Sequence, residues 1–170
     1  MTTETVAPET LHAWAITLQA SEEARGRGDR RYGTDHILLA LFEDPSIEVV
    51  LGVSLQQARQ ALDALDHEAL GALGIGDPTD VPALSMRAVP KKPRFRDIAQ
   101  IDRLRITPAA KKVLEDAVKP NRRKTQVTGQ QVLAQILVLQ PPDPAAVLLG
   151  ALGVDSSSVR GRLDLTTPNG

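Results

Sequence analysis

Cysteine is missing from this sequence altogether, which rules out disulfides, thiolate metal sites and thiol nucleophiles and fits a reducing compartment. Aromatic residues are scarce too, at 2%, so a core has to be built from aliphatic side chains and alanine. That suits packed helices better than a sandwich of sheets. No apolar run approaches the roughly 18 residues of a membrane span, and Met1-Thr2-Thr3-Glu4 lacks the basic-then-apolar pattern of a signal peptide. A soluble, cytoplasmic protein without membrane association is expected. Nor is there an excess of charge. With 20 Lys and Arg against 21 Asp and Glu the net charge is −1, and no global attraction for nucleic acid or anionic lipid follows. Catalytic signatures are absent as well: no G-x-S-x-G, H-E-x-x-H or G-x-x-x-x-G-K-[ST] occurs, and His12, His36 and His67 fall in separate segments. These absences point away from an enzyme and from a bound cofactor.

What is present is 170 residues, 42% of them hydrophobic, enough for one domain or for two small repeats sharing a core. Residues 1–9 are polar, contain Pro8, and read as a flexible lead-in. From Thr10 to Gly26, Leu11, Trp14, Ala15 and Leu18 mark an amphipathic helix, with Trp14, the one large ring, expected to anchor the core. The organising stretch runs from Tyr32 to Phe42. Gly33 reads as a sharp turn, Thr34 as a helix cap, and Ile37, Leu38, Leu41 and Phe42 recur at helical spacing. A buried helix is predicted whose first turn, carrying Asp35 and His36, stays near solvent.

Asp44-Pro45 ends that helix, and Ile47, Val49, Val50 and Leu51 make a short apolar piece. Ser54 and Gln57 form a capping box for a helix through Ala58, Leu62 and Leu65. Glycine and proline then set residues 74–105 apart as a linker. Thr107-Pro108 opens a helix with Val113 and Leu114, and Thr128 to Gln131 is a second capping box, leading into Val132, Leu133 and Ile136. A third helix spans Ala145 to Leu152. Asp155 caps a fourth, with Val159 and Leu163, before a tail at 166–170.

Two stretches recur. Leu51-Gly52-Val53-Ser54, followed by Arg59, Leu62 and Asp63, returns as Leu152-Gly153-Val154-Asp155, followed by Arg160, Leu163 and Asp164. The helix at 32–42 has its counterpart at 127–137. The expected fold is all-α, a tandem pseudo-symmetric repeat of two four-helix units, 10–73 and 106–165, forming one globular domain around the Pro/Gly linker. The two offsets differ, and the difference is assigned to a shortened third helix in the first unit.

This pattern resembles the N-terminal domain of Clp-family AAA+ unfoldases of the ClpC and ClpA type. Glu22-Glu23-Ala24-Arg25 followed by Gly33-Thr34-Asp35-His36-Ile37-Leu38-Leu39 looks like the family's E-E-A-R…G-T-E-H-I-L-L. Thr107-Pro108-Ala109-Ala110-Lys111-Lys112-Val113-Leu114-Glu115 looks like its T-P-R-A-K-K-V-L-E, and the L-G-V elements at Leu51 and Leu152 sit where the family puts its own. The resemblance implies the double Clp-N fold. With no ATP-binding motif beside it, it implies a freestanding protein- or peptide-binding module that modulates or titrates Clp-dependent proteolysis. The partners it implies are a ClpC-type unfoldase, adaptors, degradation clients and cyclic-peptide antibiotics, met as a monomer.

In ClpC-type domains the glutamate of G-T-E-H is associated with reading the guanidinium of phosphorylated arginine. By resemblance that role falls to Asp35, flanked by Thr34 and His36. In the second unit Thr128-Gly129-Gln130-Gln131 replaces the motif, and Gln130 has no charge to offer, so a degenerate site is implied, with Arg122 and Arg123 just before it. The family's apolar groove between repeats implies Val6 and Ile106 as lining and Lys111 and Glu115 as rim, with Ile106 standing where relatives often carry Phe. Read without the resemblance, Thr34 to His36 are an ordinary helix start, and Lys111 and Glu115 a solvated helix face. Three further readings compete. Lys91 to Arg96, basic residues beside Phe95, offer a nucleic-acid contact, with an uncharacterised hydrolase as the remaining alternative, and Asp63, Asp66 and His67 are either three spaced metal ligands or an exposed face.

Overall fold

The computed structural model describes residues 10–74, 104–119 and 126–166. The short strand β1 (Thr10–His12) leads into α1 (Ala13–Arg27), and β2 (Arg31–Tyr32) into α2 (Thr34–Ala40), which a 3-10 turn at Leu41–Glu43 extends. Helices α3 (Pro45–Leu51) and α4 (Leu55–Ala72) follow. After the linker, β3 (Arg105–Ile106) precedes α5 (Pro108–Val118), β4 (Gln126–Thr128) precedes α6 (Gly129–Ile136), and α7 (Pro144–Ala151) and α8 (Ser156–Thr166) complete the order. The all-α fold class holds.

Local chemistry explains where these helices begin. Asp44 and Asp143 each cap a helix whose first residue is proline, accepting a hydrogen bond from the backbone N–H of Ser46 and Ala145 respectively. Proline suits that position because the first-turn N–H has no intrahelical partner anyway. Ser54 with Gln57 and Thr128 with Gln131 make the two reciprocal capping boxes, and Thr107 caps α5. The third helices end alike, at Gly52 and Gly153, both in the left-handed region (φ 72° and 67°) that glycine enters without steric cost.

Helix α2 is the hub. It packs against α1, α4, α5, α6 and α7, and Ile37, Leu38, Leu39 and Ala40 are all buried. A helix apolar on every side is stable only when enclosed on every side. Ile16, Leu133, Ile136, Leu148 and Leu149, from the helices packed on it, supply much of the enclosure, and each such burial contributes about 1.5–3 kcal/mol before chain entropy is counted. Surface ion pairs stitch α1 to α4: Arg27 holds Asp63 and Asp66, and Arg59 holds Glu23.

Four differences from the sequence reading are instructive. Trp14 does not anchor the core; it is 61% exposed, and the aliphatic residues above do that work. In the apolar piece that becomes α3, Val49 faces outward at 79% exposure while Ile47, Val50 and Leu51 turn in. The offset between the two halves lies mostly in the connection before the third helix, which is longer at Leu137–Asp143 than at Phe42–Asp44, since α3 and α7 have seven and eight residues. The strands were not anticipated. β1 pairs antiparallel with β4 and β2 pairs parallel with β3, so the approaches to α1 and α2 are fastened to those of α6 and α5. The linker from residue 75 to 103 lies outside the described residues.

Candidate ligand-binding site

The first turn of α2 is where the sequence placed a polar mouth, and the structure shows how its side chains are held. Gly33, not Thr34, takes the cap position, in an extended conformation (φ −108°) open to any residue. What the glycine provides is room for the Asp35 side chain. A Cβ there would stand 2.5 Å from Asp35 Oδ1, so the carboxylate lies over the Gly33 backbone because no side chain is in the way. The Gly33 N–H donates to His36 Nδ1 at 3.2 Å, as the Thr128 N–H donates to Gln131 Oε1 at 3.0 Å at the start of α6.

His36 is 4% exposed and meets three groups. Nε2 is 3.0 Å from Asp29 Oδ2, in the turn between α1 and β2, and Nδ1 is 3.1 Å from Asp35 Oδ1 as well as facing the Gly33 N–H. Neutral, Nδ1 accepts from Gly33; protonated, it donates to Asp35 instead. Burial pushes the His36 imidazolium down, but the hydrogen bonds and charges of Asp35 and then Asp29 outweigh it and hold the imidazole above its ordinary 6.5. Asp35 mirrors this. Burial pushes its carboxyl up, and the hydrogen bond and charge of His36 overcome that and hold it below the ordinary 3.8. The Asp35 side chain retains 13% exposure, so the ion pair reaches solvent at one edge.

Thr34 faces the other way. It is 1% exposed; its hydroxyl donates to Asp143 Oδ1 at 2.7 Å and accepts from the Ala145 N–H at 3.3 Å. The first residue of α2 is thereby bonded to the cap of α7, a contact between positions remote in sequence. The corresponding meeting of α6 with the cap of α3 lacks this bond. There Gly129 stands first in the helix, a Cβ on it would be 3.0 Å from Asp44 Oδ2, and that oxygen, on a residue 1% exposed, has no hydrogen-bond partner among the described residues. Ser46 Oγ beside it is also buried without one.

Of the other residues singled out, Thr128 and Gln131 are occupied in the capping box, and Gln130 is half-buried. Ile106 is half-buried and pairs with Tyr32 in the β2–β3 ladder. Lys111 and Glu115 form an exposed one-turn ion pair at 3.6 Å, and Glu115 borders a shallow depression of about 410 Å³ with Leu114, Val118 and Lys119. Asp63 and Asp66 converge on Arg27, and His67 Nδ1 lies 2.7 Å from the Asp63 carbonyl, so the spaced trio is occupied by an arginine and a helix backbone. Among the described residues no group of three or more His, Asp or Glu is placed to hold a metal. Val6, Arg122, Arg123 and the run Lys91 to Arg96 lie outside the described residues. Sequence reasoning missed Asp29 and Asp143, whose partners are set by the packing of separate elements.

Taken as an architecture, this is the all-α fold of the Clp N-terminal domain. A crystal structure with which the chain shares it is that of the N-terminal domain of the caseinolytic protease associated chaperone ClpD from Arabidopsis thaliana. The two are 18% identical, with a TM-score of 0.55 over 96% of this chain and 99% of that one. No protein-family model and no curated protein sequence matches the chain. No helix among the described residues is long and apolar enough to cross a membrane.

Proposed function

We propose that this chain is a non-catalytic protein- or peptide-binding module of the Clp N-domain kind, which modulates or titrates Clp-dependent proteolysis. The observation that carries the reading is the extent of the likeness: nearly the whole chain, and nearly the whole of the ClpD N-terminal domain, share one fold. Its two four-helix units, 10–73 and 106–165, act as one body, and the α2 mouth is its first contact point. Asp35 presents a carboxylate edge to a client guanidinium, phosphoarginine being the chemistry the family resemblance suggests. His36 and Gly33 hold that edge in place. The start of α6 is the degenerate partner, since Gln130 brings no charge.

Titration of the pure protein with phosphoarginine and with a ClpC-binding cyclic peptide tests the reading, alongside Asp35→Ala. Saturable binding of either probe is expected, with the phosphoarginine response reduced at least tenfold by Asp35→Ala. A protein indifferent to both probes would remove the basis for the proposal.

A further inference from the structure

Arg31 and Arg105 are a like-charge pair that no described residue compensates. They are in-register partners of the parallel β2–β3 ladder. Along those strands Tyr32 and Ile106 turn inward, which sends both arginines to solvent on the same face. Adjacent strands lie about 4.8 Å apart, so the two stems leave the sheet side by side. Like charges directly opposite on neighbouring strands destabilise the pairing. Arg27 and Arg59 show what compensation looks like, since each is held by carboxylates. Arg30, Arg31 and Arg105 have no hydrogen bond or ion pair to any described residue, although the chain as a whole carries slightly more acid than base.

We infer that this arginine edge is a docking surface for an acidic peptide segment, one whose Asp or Glu carboxylates are taken by Arg31 and Arg105 together. The inference rests on the protein-binding reading and names partner chemistry for a surface next to the α2 mouth. Guanidinium forks match carboxylates in bidentate geometry, and two of them on one face match two neighbouring acidic residues of an extended segment. A nucleic acid fits less well. Three cations neutralise few phosphates, and a net negative molecule repels the rest of a long polyanion.

The probe is a fluorescent eight-residue Asp/Glu peptide, titrated into the full chain at low salt, with a Gln-substituted peptide and a single-stranded oligonucleotide of the same length as comparisons. Saturable binding of the acidic peptide is expected, weakened at least tenfold in Arg31→Gln/Arg105→Gln and unchanged in Arg59→Gln. The double variant should keep the wild-type circular dichroism spectrum and unfold no lower than wild type, because both side chains are exposed and the substitution relieves their repulsion. Absence of binding, equal binding by the Gln-substituted peptide, or an unaffected double variant would overturn the inference. Tighter binding of the oligonucleotide through the same arginines would overturn it in favour of a nucleic-acid surface. If the cyclic peptide or phosphoarginine binds and the acidic peptide does not, this inference fails while the broader reading stands. Acidic-peptide binding without either of those responses would leave the arginine edge standing and the Clp reading refuted.

Discussion

Replacing Thr34 by valine changes one hydroxyl to a methyl at nearly constant shape, deep between α2 and α7. The hydroxyl donates to the Asp143 carboxylate at 2.7 Å and accepts from the Ala145 N–H at 3.3 Å. Asp143 Oδ1 keeps the Ala145 N–H at 3.0 Å after the change, so the cap survives and the loss is confined to the bond between the helices. A hydrogen bond to a charged group contributes roughly 1.5–3 kcal/mol. Asp143 is half-buried, which lets water recover part of the loss and places Thr34→Val at about 2 kcal/mol. Thr34→Ser keeps the hydroxyl and gives up one methyl group, about 1 kcal/mol. Urea unfolding of both variants, with a cycle through Asp143→Ala, separates the effects. The stability order should be wild type, then serine, then valine, and Thr34→Val should cost far less when Asp143 is already alanine. A valine variant as stable as wild type, or additive costs in the cycle, would refute the assigned bond.

At the matching meeting of α6 and α3, Gly129→Ala sets the helix preference of alanine, roughly 1 kcal/mol, against a Cβ 3.0 Å from Asp44 Oδ2 with nothing to offer it. Gly129→Ser should be more stable than Gly129→Ala by about 1.5–3 kcal/mol, because its hydroxyl can donate to that orphaned oxygen; equal unfolding midpoints would show that it does not. His36→Gln should keep the backbone bond to Gly33, as Gln131 does at Thr128, and lose both ion pairs. The raised imidazole contributes stability that is complete below its ordinary 6.5 and lost as pH climbs through the folded value. The lowered Asp35 carboxyl contributes stability complete above 3.8 and lost as pH falls through its folded value. The cost of His36→Gln in urea should therefore be largest between those limits and shrink as pH climbs through the raised imidazole value, and a cost independent of pH would contradict the ion pairs. Gly33→Ala should displace the Asp35 carboxylate from its place over the backbone and bring the His36 titration, followed by NMR, down toward its ordinary value, with Asp29 still holding part of the rise. An unshifted curve would argue against that geometry.

The helices were legible because their signals are local. A cap, a proline at the first position and a glycine past the end are written within a few residues of one another, as at Ser54 to Gln57, Thr107-Pro108 and Thr128 to Gln131, whereas Asp44-Pro45 read as the end of one helix and proved to be the start of the next. The start of α2 was misjudged by one residue for a physical reason: threonine is the better capping side chain, but Thr34 is drawn to Asp143, and Gly33 leaves room for Asp35. Strands two or three residues long carry too few positions to show alternation, and their existence depends on partners from the other half of the chain. Trp14 misled because hydrophobicity says that a side chain can be buried without saying that it is. Asp29 and Asp143 were invisible for the opposite reason, since both look like ordinary loop acids until α2 is packed beside them.

The sharpest test adds the pure chain to a reconstituted ClpC-type unfoldase and its peptidase while degradation of a client is followed. Degradation should change in proportion to added chain, and the change should diminish with Asp35→Ala. A rate unaffected by an excess of folded chain would contradict the claim that this fold serves here to engage Clp partners.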